Sequence, residues 1–75
     1  MAKGKKAKSG VYVVTEIIGT SPDSFARAAE NAVEMAAKSL RDLRIAEVTK
    51  LDCKIENGKI AQYRARLSVS FKYDG

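Results

Sequence analysis

The 75-residue chain contains no histidine and no tryptophan, and it has one cysteine and one proline. Without histidine, the usual general base and the commonest metal ligand are missing. The lone cysteine, Cys53, can form neither an intramolecular disulfide nor a two-cysteine zinc site. It also lacks a histidine partner for nucleophilic catalysis, so a small apolar filler within a strand is the simpler interpretation. These absences predict a protein that binds a ligand and is not an enzyme.

Long apolar segments are also missing. No run approaches the roughly 20 residues of a membrane-spanning helix, so no membrane partner is expected. The lone cysteine and the lack of a secretory apolar region predict a cytoplasmic protein. A chain of this length forms one domain and buries only roughly 60% of its unfolded surface. Without disulfides, oligomerisation is the expected source of further stability.

The net charge of +5 is concentrated at the N-terminus. Removing the four lysines of residues 1–10 from the balance leaves +1 for the remaining 65 residues. We therefore predict a disordered basic tail at residues 1–10 and a folded domain at residues 11–75. The near-neutral domain lacks the basic stripe that neutralises phosphates, so no specific nucleic-acid partner is expected. The alternative is a structural or interaction protein whose basic arm docks on nucleic acid or an acidic partner.

The first structured segment is predicted to be a strand followed by a helix. Residues 11–18 are β-branched and aromatic, and both faces are largely apolar, which predicts a strand buried on two sides. Gly19 is expected to supply the freedom for a turn, and Ser21 the helix N-cap. Pro22 suits the first helical position, and Asp23 complements the positive end of the helix dipole.

Two polar features of this region allow more than one interpretation. Glu16 interrupts the apolar strand, either as an edge or interface charge paired with an arginine or as a ligand-binding carboxylate. Residues 19–21 could hold an anion at the helix N-terminus, although every capped helix shares that geometry.

Helical spacing of apolar residues predicts a helix of roughly five turns, from about residue 22 to about residue 40. The stripe consists of Phe25, Ala29, Ala32, Val33, Ala36, Leu40 and Leu43. Because alanine dominates it, the helix should lie close to the sheet and leave little room for a cavity. Ala26, Ala28 and Met35 extend the apolar surface beyond this stripe. Alanine helix propensity or a second contact surface in an oligomer would explain them.

After Leu43 the apolar residues recur at every second position instead of at helical spacing. Residues 44–55 are predicted to form a second strand, Asn57-Gly58 the centre of a hairpin turn, and residues 60–73 a third strand. The apolar face of the third strand is expected to cover the helix, and it consists of Ala61, Tyr63, Ala65, Leu67, Val69, Phe71 and Tyr73. The opposite face consists of Gln62, Arg64, Arg66, Ser68, Ser70 and Lys72.

These elements predict an α+β fold of the β-α-β-β type. A strand-helix-strand unit favours a right-handed parallel arrangement, whereas the short turn makes the second and third strands antiparallel neighbours. Both conditions hold when the third strand lies between the other two, in an antiparallel sheet of order 1-3-2 with one helix on one face. Its two open edges favour association with other chains.

Residues 13–72 closely resemble the dodecins in order and spacing. The resemblance rests on EIIGTSPDSFARAAENAVEMAAKSLRDLRIAEV and IENGKIAQYRARLSVSF. The matching positions are Glu16 with Gly19-Thr20-Ser21, Asn31-Ala32-Val33, Leu40-Arg41, Leu43-Arg44, Glu47-Val48, and Gly58-Lys59 with Tyr63 and Phe71. The resemblance implies a dodecin-like domain that assembles into a hollow homododecamer of cubic symmetry. It further implies binding or storage of a small ligand, usually a flavin such as riboflavin or FMN, stacked in pairs near symmetry axes.

Two positions that matter for flavin binding in that family differ here. By resemblance, Ile45 stands where flavin-binding dodecins have a tryptophan that stacks on the isoalloxazine ring. Arg64 stands where they have a glutamine that bonds the polar edge of the ring. Aromatic stacking contributes ~0.5 to 1.5 kcal/mol beyond area burial, and arginine has no acceptor for the flavin imide N–H. Both substitutions argue against high-affinity flavin binding.

The chain is more similar to a tryptophan-less dodecin subgroup that is associated with calcium. The similarity lies in the IIGTSP segment and in the YR and VSFK segments of the third strand. Calcium takes about six to eight oxygen ligands. The acidic residues of the domain are scattered and form no Asp-x-Asp loop. A calcium site would therefore have to be assembled between protomers, and the sequence does not identify its ligands.

Overall fold

The structure, a computed structural model, describes residues 10–72. Its elements are β1 (Tyr12–Ser21), α1 (Phe25–Ser39), β2 (Leu43–Glu56) and β3 (Lys59–Lys72). The strands form one antiparallel sheet of order β1-β3-β2. The predicted β-α-β-β topology and 1-3-2 order are confirmed. The predicted basic tail, apart from Gly10, and the predicted end of the third strand at Tyr73 lie outside the described residues.

The junction between β1 and α1 differs from the prediction. β1 continues to Ser21, which is 1% exposed, and the Ser21 hydroxyl accepts a hydrogen bond from the Asp23 N–H at 2.9 Å. The N-cap is Ser24, whose hydroxyl accepts from the Arg27 N–H at 3.0 Å. The predicted roles of Ser21 as N-cap, of Pro22 as first helical residue and of Asp23 in the first helical turn are therefore wrong. The chain uses Pro22 and Asp23 to leave the sheet before the helix begins.

Gly19 lies inside β1, so its predicted role in the turn is also wrong. A Cβ on Gly19 would overlap the Ala28 carbonyl oxygen and lie 2.8 Å from the Ala32 Cβ. The absence of a side chain therefore allows the helix to approach the strand. The site predicted for an anion at residues 19–21 lies in a strand and not at a helix N-terminus.

The core lies between α1 and the central strand. It contains Ala28, Ala32 and Ala36 from the helix and Ala65, Leu67 and Val69 from β3. The expectation that the apolar face of β3 covers the helix is confirmed at these positions. Ala28, which was predicted to lie outside the packing stripe, is completely buried. At one end of the helix, the Phe25 and Tyr63 rings make an edge-to-face contact with centroids 5.0 Å apart.

The β2–β3 hairpin has the predicted Asn57-Gly58 turn. Both residues have positive φ, 53° and 75°, as a type I′ turn requires. The strand pairing is irregular at Arg44, Thr49 and Ala61, each of which lacks a direct partner. Cys53 is half-buried opposite Tyr63. Among residues 10–72, no helix is long and apolar enough to cross a membrane.

Candidate functional site on the outer face of the sheet

The outer face, the side of the sheet that points away from α1, carries both residues predicted to contact a ligand. Residues directly opposite each other on neighbouring strands point to the same face. The register therefore groups the outer-face residues into rungs across β1, β3 and β2. The rungs are Thr20–Arg64–Asp52, Ile18–Arg66–Lys50, Glu16–Ser68–Glu47 and Val14–Ser70–Ile45.

The structure does not bring Ile45 and Arg64 together within one chain. Ile45 pairs with Ser70, which is six residues from Arg64 along β3. At about 3.3 Å per residue, the two positions are separated by about 20 Å. Ile45 is 66% exposed and lies at the edge of the sheet. A ligand that touches both positions would have to lie between two copies of the chain.

Arg64 forms a two-pronged ion pair with Asp52 across the β2–β3 hairpin. Its Nε donates to Asp52 Oδ1 at 2.6 Å, and its Nη2 donates to Oδ2 at 3.0 Å. The hydrogen bonds from Arg64 lower the pKa of the Asp52 carboxyl, and the charges of Arg64, Arg66 and Lys50 add to this effect. The Asp52 carboxylate in turn raises the pKa of Arg64. Both groups are therefore charged at neutral pH.

Asp52 is a member of this site that the sequence analysis did not identify. A two-residue turn at Asn57-Gly58 with regular pairing would place Asp52 opposite Tyr63, on the helix side. The irregularity at Ala61 shifts the register by one residue, so Asp52 lies opposite Arg64 instead. A signal was present in the sequence, because residues 51–55 alternate between apolar and polar and so place Asp52 on the polar face of β2.

Glu16 and Glu47 flank Ser68 on the third rung. Glu16 is exposed and lines a shallow groove of 420 Å³ with Ile17, Ile18 and Arg66. Within residues 10–72, none of the ion pairs includes Glu16, so its predicted pairing with an arginine is not found inside one chain. That same region also contains no group of three or more acidic or cysteine side chains that could hold a metal ion. A metal site would need ligands from more than one copy.

The helix covers only part of the sheet. A 15-residue helix is about 22 Å long, whereas the 14-residue strands β2 and β3 extend about 46 Å. Apolar side chains on the helix side of the hairpin are therefore about half or more exposed: Val48, Leu51, Ile55 and Ile60. Two apolar grooves of 480 and 470 Å³ flank the helix, one against β2 and β3 and the other against β1. Contiguous exposed apolar surface of this kind is typical of an interaction site.

Comparison with known proteins identifies close relatives. A family model described as Dodecin matches residues 11–74. A protein of Mycobacterium tuberculosis (strain ATCC 25618 / H37Rv) named calcium dodecin is 45% identical over 62 residues, which cover 83% of this chain and 87% of that protein. The dodecin structure from Streptomyces coelicolor superposes with a TM-score of 0.83 at 40% identity, covering 87% of this chain and 93% of that one. The crystal structure of calcium dodecin from M. tuberculosis, described as having a novel calcium-binding site, gives a TM-score of 0.77 at 43% identity with the same coverage.

Proposed function

This chain belongs to the dodecin family, and on that premise we propose that it binds and stores a small ligand in a hollow cytoplasmic homododecamer, without catalysing a reaction. The observation that carries the proposal is the incomplete cover of the sheet. The helix lies against about half the length of the β2–β3 hairpin and leaves apolar side chains such as Leu51 and Ile55 in water. Contact with identical copies would bury this surface and protect the strand edges.

The ligand is proposed to lie between protomers. The resemblance implies that Ile45 and Arg64 stand at the two flavin-contacting positions, and the two residues are about 20 Å apart within one protomer. A neighbouring copy would have to supply the opposite side of any pocket at either position. Ligand binding should therefore depend on assembly, and a dissociated protomer should bind such a ligand poorly.

Riboflavin-type flavins are proposed as weak ligands. Ile45 offers an apolar surface but no aromatic ring for stacking. Arg64 offers only donors, and two of its N–H groups are already bonded to Asp52. The polar edge of a flavin contains an imide N–H that needs an acceptor, which Arg64 does not provide.

Calcium is the second proposed ligand, and a relative supports it. The M. tuberculosis protein that is 45% identical to this chain is named calcium dodecin. Glu16 and Glu47 supply two carboxylates on one rung of the outer face, and carboxylate oxygen is the ligand that Ca²⁺ prefers. Because two side chains fall short of six to eight oxygen ligands, a neighbouring copy and water would have to complete the coordination.

A function in interaction through the basic N-terminal arm is the alternative to ligand storage. It is supported only by the four lysines within residues 1–10. Deleting residues 1–10 separates the two functions, because ligand binding by the assembled domain should survive the deletion. Retention of nucleic acid or an acidic protein by the full chain, and its loss on deletion, would favour the alternative.

Size-exclusion chromatography with light scattering tests the assembly. Twelve copies of the 8.2 kDa chain give a particle of about 98 kDa. The same purified sample should be analysed by absorption spectroscopy for flavin and by elemental analysis for calcium. A monomer or dimer at micromolar concentration would refute the shell, and turnover of a substrate would refute the storage function.

A further inference from the structure

We propose that the outer face also binds the phosphate group of a small ligand, through Arg64, Arg66 and Lys50. The three residues lie on two adjacent rungs, Thr20–Arg64–Asp52 and Ile18–Arg66–Lys50. Neighbouring strands are about 4.8 Å apart, and residues two apart along a strand are about 6.6 Å apart. Three long cationic side chains thus start within reach of one tetrahedral anion.

The cations of these two rungs outnumber the carboxylates. Asp52 is the one acidic side chain on them, so the group carries a net charge of +2. The positive charges of Arg66 and Lys50 both help to lower the pKa of the Asp52 carboxyl. An anion with a charge near −2, such as a phosphate monoester, would neutralise the group.

Hydrogen-bond donors remain free for such an anion. Arg64 uses its Nε–H and one Nη2–H on Asp52, which leaves three of its five N–H donors. Within residues 10–72, neither Arg66 nor Lys50 forms an ion pair. Asp52 acts as a positioning residue, because the two-pronged pair fixes the plane of the Arg64 guanidinium. Planar guanidinium groups bind phosphate oxygens in pairs, which gives arginine an advantage over lysine at phosphate sites.

The neighbouring rungs limit the kind of ligand. Glu16 and Glu47 flank the next rung and would repel a second phosphate placed beyond Arg66. Glu16 also shares a groove with Arg66, so a single phosphate group should lie toward Arg64, one rung farther from these carboxylates. An extended polyanion such as a nucleic acid would meet them. The site therefore fits a small phosphorylated molecule. It lies within one protomer, so the inference goes beyond the proposed storage function and does not require assembly.

Calorimetric titration of the full chain with ribose 5-phosphate and with ribose tests the inference. Ribose 5-phosphate should bind, ribose should not, and added salt should weaken the binding. Arg66→Gln should weaken it about tenfold or more, the effect of losing a hydrogen bond to a charged group. Lys54→Gln is the control. Lys54 lies on β2 about 13 Å from Lys50, and its Nζ pairs with the Glu56 carboxylate at 3.3 Å. This control should change the affinity less than twofold.

Three results would overturn the inference. They are equal binding of ribose and ribose 5-phosphate, an equal loss in Arg66→Gln and Lys54→Gln, and tighter binding of an oligonucleotide than of ribose 5-phosphate. Binding of inorganic phosphate with the same dependence on Arg66 would support it. If Arg66→Gln fails to fold by circular dichroism, Lys50→Gln should show the loss instead. Light scattering on the same samples separates the two proposals, since phosphate binding by a monomer would refute only the shell.

Discussion

Asp52 and Arg64 face each other across β2 and β3, joined by hydrogen bonds of 2.6 Å and 3.0 Å between one guanidinium and one carboxylate. The resemblance to flavin-binding dodecins would predict a neutral glutamine at the position of Arg64. Here the position carries a fixed positive charge with its plane set by a partner on the neighbouring strand. The part of the outer face that lies toward the hairpin turn is thus suited to binding an anion.

The Asp52–Arg64 pair should stabilise the fold in a pH-dependent way. Because Arg64 lowers the pKa of Asp52 below its ordinary 3.8, the stabilisation is full above that value and disappears as the pH falls through the lower, folded-state pKa. Asp52→Asn should lower the urea midpoint slightly at pH 7, since both groups are exposed. The difference from wild type should shrink below pH 4. Glu56→Gln is the control: it removes the exposed single contact with Lys54 and should lower the urea midpoint less at pH 7. If Asp52→Asn still differs from wild type by the same amount at pH 2.5, the pH-dependent role of the Asp52–Arg64 pair is contradicted.

Gly19→Ala should destabilise the protein by about 1–3 kcal/mol, as overpacking of a core does. The added Cβ would meet the Ala28 carbonyl oxygen and the Ala32 Cβ, so α1 would have to move away from β1. Urea unfolding measures the loss. Gly10→Ala is the control, because among residues 10–72 no atom beyond the chain neighbours lies within 4 Å of a Cβ added there. Equal stability of the two variants would show that the helix is not held so close to the strand.

Ile45→Trp should strengthen riboflavin binding roughly two- to tenfold, the range that a stacking contribution of ~0.5 to 1.5 kcal/mol gives. Quenching of riboflavin fluorescence on titration measures the affinity. Lys59→Trp is the control, since Lys59 is exposed on the same hairpin and lies outside the apolar surface proposed to be buried by assembly. A similar gain in both variants would mean that tryptophan binds flavin nonspecifically, and tight binding by the wild type would show that Ile45 is no obstacle.

Leu51→Gln should weaken assembly. Leu51 lies on the helix side of β2 opposite Ala65, yet it is 53% exposed in one chain. If a neighbouring copy covers it, the substitution places a polar group in an apolar contact and shifts the particle to smaller species on dilution. Light scattering over a dilution series measures this shift. Lys59→Gln, an exposed change on the same hairpin, should leave the particle intact, and an intact particle in both variants would exclude Leu51 from the interface.

Calcium should raise the melting temperature if it is the stored ligand. A ligand at 100 times its Kd stabilises the native state by about 2.7 kcal/mol, and a chelator should reverse the gain. Glu16→Gln and Glu47→Gln should each reduce the calcium effect, because each removes a charged oxygen ligand from the third rung. Asp23→Asn is the control, since Asp23 lies outside the sheet. No shift at millimolar calcium would exclude a tight site.

The strand order and the hairpin turn could be predicted from sequence because each depends on a local signal. Asn57-Gly58 permits the positive φ angles of a type I′ turn, and the alternation along β3 identifies the face that covers α1. The first residue of the helix could not be predicted, because Ser21 and Ser24 are both acceptable N-caps. The choice depends on burial of Ser21 at the end of β1, which is a tertiary effect.

The candidate site was harder to predict for a related reason. Ile45 and Arg64 were selected by resemblance, and the structure places both on the outer face. Asp52, the partner of Arg64, is displaced onto that face by one unpaired residue near the turn. A shift of one residue moves a side chain from one side of a sheet to the other. The alternation of apolar and polar residues at 51–55 indicates the face on which Asp52 lies but does not identify its partner on β3.

At the contact between α1 and β1, alanine side chains of the helix pack against the backbone of Gly19, which has no side chain. Because glycine is the smallest residue, every replacement of Gly19 adds volume to a space that is already filled. Residues on the other faces of α1 and β1 can therefore be substituted while the distance between the two elements stays constant. An engineer who wishes to enlarge a ligand cavity in this protein should work at the far end of the hairpin, where there is no helix to displace.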